Sequence, residues 1–197
     1  MLNELLHKLA GPSLARTAQP LARRGVGADA LTLIGFVLGV AAIPAIARHA
    51  YLIGLALIVL NRLFDALDGA VARQTRVTGP GAFLDMTLDL IVFAGIPFAF
   101  ALADPPRALA AAFLIFAIAA SGSSGIFIAG LAARQGTPAT VALGYLGRLM
   151  EDTELTVALA VACIVPGWFS VIAYVVGALC FITAGARIAA AVARFGE

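Results

Sequence analysis

Apolar runs of roughly membrane-spanning length recur along this chain, divided by short stretches of glycine, proline and charge. A spanning helix needs about 20 mostly apolar residues to cross ~30 Å of hydrocarbon. Six runs answer to this pattern, over residues 30–48, 51–73, 81–103, 107–133, 152–166 and 169–194. The fifth is the shortest and draws on its flanks. Asp104-Pro105-Pro106 and Pro166-Gly167-Trp168 read as turns, because proline cannot continue a helix. Trp168 suits a membrane–water interface. Residues 134–150, with Gly136, Pro138, Gly144 and Gly147, read as a polar connector. Ahead of the first run, Leu2, Leu5, Leu6 and Leu9 mix with Lys8, Arg16, Arg23 and Arg24, as in an amphipathic helix lying on anionic lipid. The pattern predicts an all-α integral membrane protein: a juxtamembrane helix over 1–24 and a six-helix transmembrane domain over 25–197.

Composition agrees. Hydrophobic residues make up 62% and charged residues 12%, where a soluble domain carries about a quarter charged residues. A net charge of +2, with no basic patch interleaved with aromatics, argues against a nucleic-acid partner. Cys163 and Cys180 lie within apolar runs and lack the spacing of a metal or redox pair. The N-terminal stretch has no compact apolar core followed by a small-residue cleavage site, so it does not read as a secretory signal.

Charge also sets an expected orientation. With a cytosolic N-terminus, Lys8, Arg16, Arg23, Arg24, Arg73, Arg76, Arg134, Arg148 and Arg194 all fall on the cytosolic side. Arg48 and Arg107 face outward, and Arg62 and Arg187 stand within helices. Both termini are then cytosolic.

The chemistry concentrates at the junction of the second and third runs. Asp65 and Asp68 are three residues apart, and Asp85 and Asp89 four apart, so each pair shares a helix face. The turn between them, residues 74–80, brings the chain back antiparallel and lets the four carboxylates face one another near the cytosolic interface. Carboxylates in a bilayer are costly. Arg62, Arg73 and Arg76 do not readily neutralise all four. A divalent cation does, and oxygen-only ligands select Mg²⁺, Mn²⁺ or Ca²⁺ over zinc. Two ions bridged by carboxylates would also neutralise a pyrophosphate. Gly69, Ala72 and Gly81 keep the flanking helices slim, leaving room beside the metals for a flat nucleotide.

Together these residues read D-x2-D-G-x2-A-R-x7-G-x3-D-x3-D, which resembles the signature of the CDP-alcohol phosphotransferase family at every fixed position. The signature covers 25 residues, and the six-span layout with a basic N-terminal helix extends the likeness to the whole chain. The resemblance implies that Asp65, Asp68, Asp85 and Asp89 surround a pair of Mg²⁺ or Mn²⁺ ions, the first three as main ligands. Asp89 would be the general base toward the acceptor hydroxyl. Gly69, Ala72, Arg73 and Gly81 would hold the CDP moiety. The implied reaction moves a substituted phosphate, phosphatidyl from CDP-diacylglycerol, to a small alcohol with release of CMP, in phospholipid biosynthesis. A homodimer in the inner (cytoplasmic) membrane, its active site facing the cytosol, is implied in the same way.

Outside the signature the reading stays open. Asp29 stands where family members often have Asn, and serves as an N-cap of the first span on physical grounds. Thr32 is a lesser candidate for the nucleotide site. Arg148, Glu151 and Glu154 gather with Asp152 at the start of the fifth span, where acids complement the helix dipole. With Arg187, they are also candidates for an acceptor pocket. Arg187 either snorkels or contacts a phosphate or Asp. Ser121, Ser123 and Ser124, with Gly122 and Gly125, read as packing residues. His7 and His49 lie outside the acidic cluster. Two other function classes compete: a small cation-conducting protein using the aspartates as a path, and an assembly protein whose acids pair with arginines. Within the enzyme reading, a CDP-amino alcohol:lipid phosphotransferase is the alternative.

Overall fold

A computed structural model describes residues 2–134 and 150–195, and helix is the only regular structure among them. In chain order the helices are α1 (Leu2–Arg23), α2 (Ala28–Ala47), α3 (Tyr51–Gln74), α4 (Gly79–Ala103), α5 (Ala108–Arg134), α6 (Asp152–Ile164) and α7 (Phe169–Phe195). Short 3₁₀ turns, Pro105–Arg107 and Pro166–Trp168, precede α5 and α7. Both proline turns thus stand where expected.

Four segments are long and apolar enough to cross a membrane: Ala28–Ala47, Gly79–Ala103, Pro105–Ala132 and Pro166–Ala193. Of the other two predicted spans, α3 has 24 residues but carries Arg62, Asp65, Asp68 and Arg73 in its second half. α6 has only 13 residues, about 20 Å of helix at 1.5 Å per residue. Large apolar side chains point out of the bundle, with Leu109 75% exposed, Phe127 74% and Leu52 72%. Such a surface would aggregate in water and is stable facing hydrocarbon.

Small residues decide which helices meet. On α2, Gly35 and Gly39 are one turn apart and buried. A Cβ on Gly35 would stand 3.1 Å from Phe64 Cβ of α3, and one on Gly39 would stand 2.7 Å from Val92 of α4. Gly54 of α3 lies under Ile46 of α2 in the same way. Backbones approaching this closely gain dispersion contacts, the main source of helix association where no hydrophobic effect operates. α2 therefore seats α3 and α4 side by side, and α4 leads on to the α5–α7 pair. At the end away from the aspartates, Tyr51, Phe100 and Phe169 stack with ring centroids 5.6 Å and 4.3 Å apart. Arg107 ties the two proline turns together, Nη1 donating to the Pro166 carbonyl at 2.8 Å.

Helix α1 docks on the other end. Ala18 is fully buried and packs with Leu31, Ala70 and Val71, and Gln74 Nε2 donates to the Ala15 carbonyl at 2.8 Å. Two local expectations are corrected. The expected 74–80 turn is only residues 75–78: Thr78 caps α4, its Oγ1 accepting from Gly81 N at 3.1 Å, and Pro80 lies in the first helical turn, where its missing N–H has no helical partner to lose. The N-cap of α2 is Gly27 rather than Asp29, which sits inside the first turn.

Candidate active site

The turn at residues 75–78 sets α3 and α4 antiparallel, so their acidic faces meet. One carboxylate oxygen each from Asp65, Asp68 and Asp85 lies within 4.8 Å of the others. Asp68 is buried at 4% exposure, and Asp65 and Asp85 are half-buried. From α2, Thr32 Oγ1 donates to Asp68 Oδ2 at 2.6 Å, short enough for a hydroxyl bound to an ionised acceptor. Three anionic groups this close repel one another strongly away from bulk water. The arrangement fits a hard divalent cation held by oxygens alone.

Asp89 does not join the triad. It faces Arg62 across the cleft, Nη1 donating to Oδ2 at 2.8 Å and Nη2 to Oδ1. Arg62 Nη1 is also 3.5 Å from Asp65 Oδ2. Arg62 Nε donates to Asn61 Oδ1 at 2.9 Å. Asn61 Nδ2 in turn donates to the buried Gly35 carbonyl at 2.9 Å. Thr32, Gly35, Phe36, Asn61 and Leu88 share one narrow cleft with the four aspartates. Arg62 and Asn61 were not foreseen as site residues. The i,i+3 spacing of Arg62 and Asp65 was a local hint, but the pairing of residues 62 and 89 depends on how two helices pack.

The predicted nucleotide residues lie past the triad, toward the connection between α3 and α4. Arg73 is exposed and lies back along its helix, so that a Cβ on Gly69 would stand 3.2 Å from Arg73 Nη1. Ala72 and Gly81 are half-buried. A Cβ on Gly81 would stand 2.8 Å from Thr78 Oγ1 and 2.9 Å from Asp29 Oδ1, so no larger residue fits without displacing one of them. Asp29 thus borders the proposed nucleotide side of the site.

Of the acceptor candidates, Arg148 lies outside the described residues. Glu151 is the N-cap of α6 and Glu154 stands in its first turn. Arg187 is buried on α7 rather than reaching an interface, and its Nη1 donates to the Ser121 carbonyl at 2.8 Å. Gly125 clears its path, since a Cβ there would stand 2.9 Å from Arg187 Nη1. Asp152 is within electrostatic range of Asp89, Arg62 and Arg187.

Comparison with known proteins agrees with this geometry. Residues 26–184 match the family model described as CDP-alcohol phosphatidyltransferase. The inner membrane protein YnjF of Escherichia coli is 42% identical over 193 residues, covering 95% of this chain and 94% of its own. An archaetidylinositol phosphate synthase of Methanothermobacter thermautotrophicus is 40% identical over 90 residues, 45% of this chain and 46% of that protein. The crystal structure of Mycobacterium tuberculosis phosphatidylinositol phosphate synthase with CDP-DAG bound superposes with a TM-score of 0.65 at 24% identity, covering 91% of this chain and 93% of that one. That likeness establishes a shared fold. With the family match spanning most of the chain and the acidic triad within it, this protein belongs to the CDP-alcohol phosphatidyltransferase family of enzymes.

Proposed function

We propose that the enzyme transfers a phosphatidyl group from CDP-diacylglycerol to the hydroxyl of a small alcohol, releasing CMP, as a step of phospholipid biosynthesis. The observation that carries this reading is the Asp65–Asp68–Asp85 triad, with ligand oxygens within 4.8 Å of one another, beside the slim face formed by Gly69, Ala72 and Gly81. Asp65, Asp68 and Asp85 would hold Mg²⁺ or Mn²⁺, and a second ion would draw on Asp89 as well. A divalent cation there neutralises the donor pyrophosphate and acidifies a neighbouring hydroxyl.

The protein's own groups account for the remainder. Gly69, Ala72 and Gly81 leave space for the cytidine, and Arg73 meets the diphosphate charge. Asp89 takes the proton of the acceptor hydroxyl as its oxygen attacks the phosphorus bearing the lipid. The bond from that phosphorus to the bridging oxygen breaks, and CMP leaves with the electron pair. An ionised carboxylate has about four lone-pair sites. The fork from Arg62 uses two, so Asp89 keeps a free direction toward the hydroxyl. Glu151, Glu154, Arg148 and Arg187 are proposed for the acceptor pocket, supported by the electrostatic range of Asp152 to both Arg187 and Asp89.

Six spans, with α3 and α6 crossing beside the four more apolar segments, put both termini and the aspartates on the cytosolic face. α1 then rests at that interface, and the named inner membrane relative supports the same membrane for this chain. A homodimer is proposed by likeness to the family. The test is CMP release by purified protein from CDP-diacylglycerol with Mg²⁺ or Mn²⁺ across a panel of alcohols, including phosphorylated polyols, serine and choline. Asp85→Asn should abolish the release. If no pairing of donor and alcohol yields CMP while the protein passes cations in liposomes, the conducting alternative replaces this one. Arg62 beside Asp89 and Asp65 speaks against it, since a fixed cation in a path opposes cation flow.

A further inference from the structure

We propose that the small alcohol is the headgroup of a second lipid, whose apolar chain lies in a groove between α5 and α7 with its phosphate against Arg187. The inference rests on the reading of Arg187 as part of the acceptor pocket. A groove of about 600 Å³ runs along the second halves of these two helices, within the ~300–1,000 Å³ typical of ligand sites. Phe127 and Leu131 of α5, with Ile188 and Val192 of α7, line it and are exposed on the outer surface of the bundle. The groove is therefore reached sideways from the bilayer, in the cytosolic half under the proposed orientation.

The lining suits an acyl chain with one polar end. Among the described residues, Arg187 is its single charged group. A charge within a spanning helix is costly and is by default functional. Ser123 and Ser124 also line the groove, but their hydroxyl hydrogens go to the Ala119 and Ser121 carbonyls, at 2.7 Å each. Both keep lone pairs that can accept from an alcohol. A phosphorylated polyol without a chain would set its hydroxyls against apolar walls, where unmet polar groups are costly. A cationic amino alcohol would meet Arg187 and, among the described lining residues, no acid. A lipid phosphate with an alcohol head matches the cation, the two acceptors and the apolar walls together.

The groove also reaches the depth of the reaction. Leu90, next to Asp89 on α4, packs over Gly122 of α5, where a Cβ would stand 2.6 Å from Leu90 Cδ1. The neighbouring Ser121 carbonyl takes Arg187 Nη1 at 2.8 Å. These contacts set the guanidinium near the depth of Asp89, so a head held there offers its hydroxyl at the level of the base. Moving a chain from bilayer to groove exchanges one apolar medium for another and adds little affinity. The chain serves to place the head. The hydroxyl oxygen bonds to the donor phosphorus bearing the lipid, and its proton passes to Asp89. The bond from that phosphorus to the bridging oxygen breaks, CMP leaves with the electron pair, and one phosphate then joins two lipid-borne groups.

The test follows CMP release from CDP-diacylglycerol by the purified full chain with two acceptors sharing one head: phosphatidylglycerol, and glycerophosphoglycerol without chains. The lipid should give a kcat/KM at least about tenfold higher, because truncation removes remote contacts that orient the reacting end. Gly185 lines the groove, and a Cβ there meets nothing within 4 Å. Gly185→Leu thus enters the groove without a clash at its first carbon, and should lower lipid-dependent CMP release at least about tenfold by displacing the chain. Gly130 of α5 is exposed, lies outside the groove and has equally open space. Gly130→Leu should stay within about twofold of wild type.

A water-soluble alcohol used as well as the lipid would overturn the proposal, and so would a Gly185→Leu variant no slower than Gly130→Leu. If wild type releases no CMP with any acceptor, the reaction reading is what has failed, and photolabelling then decides the groove. Phosphatidylglycerol carrying a diazirine in its chain should label α5 and α7 peptides about fivefold more than phosphatidylcholine with the same chain, the preference that one arginine gives an anionic head. Gly185→Leu should erase that difference. Equal labelling by the two lipids would show ordinary bilayer contact and refute the site.

Discussion

Replacing Thr32 with valine removes one hydroxyl from the wall of the acidic cleft and leaves the shape of the side chain almost unchanged. Thr32 Oγ1 lies 2.6 Å from Asp68 Oδ2 and 3.1 Å from the Ala28 carbonyl. A hydroxyl has one hydrogen, and the shorter contact to an ionised oxygen claims it. Asp68 is 4% exposed, so little water is available to replace the lost bond. Hydrogen bonds to charged groups contribute about 1.5–3 kcal/mol, and loss of a partner that orients a metal ligand typically costs 10–100-fold in affinity. The two estimates agree, since about 1.4 kcal/mol is tenfold. Thr32→Val should therefore weaken Mn²⁺ binding about 10- to 100-fold. The metal concentration for half-maximal CMP release should rise in parallel. Thr32→Ser keeps the hydroxyl and should stay within about threefold of wild type. Titration of free Mn²⁺ against purified protein reads the affinity directly. A valine variant within about twofold of wild type would show that Asp68 needs no orienting bond to hold the metal.

Two other outcomes are expected. In Gly81→Ala the new Cβ should push Thr78 off its capping position, given its 2.8 Å approach to Oγ1, at a stability cost of about 1 kcal/mol for the lost N-cap. Thermal unfolding of Gly81→Ala, Thr78→Ala and the double variant checks this: the double should cost no more than the larger single, and additive losses would show that the cap is not the shared element. Chelation should remove all CMP release, and Mg²⁺ or Mn²⁺ should restore it without refolding. Restoration by zinc but not by these ions would contradict a site of three carboxylates.

The linear order of residues determined everything that depends on neighbours along a helix. Apolar runs and proline turns located the helices to within a few residues. The spacing of Asp65 with Asp68 and of Asp85 with Asp89 placed each pair on one face, because residues three and four apart are adjacent on a helix. The motif around them pointed to the family. Capping was less legible: Gly27 and Thr78 took the places given to Asp29 and to a longer turn, since several polar or small residues could each begin those helices.

Tertiary structure alone decided how the four acids divide. Asp89 pairs with Arg62, 27 positions earlier in the chain, while Thr32 reaches Asp68 across 36 positions. Both contacts depend on α2, α3 and α4 approaching through Gly35, Gly39 and Gly54. A glycine in a sequence does not say which neighbour will occupy the space it leaves. Likewise Arg187 was equally suited by its position to snorkel or to turn inward, and the gap at Gly125 with the Ser121 carbonyl settles its inward course. Helical periodicity is local and readable from spacing. The choice of partners belongs to packing, where close approach of backbones and the high cost of leaving charges unpaired in an apolar medium select one arrangement.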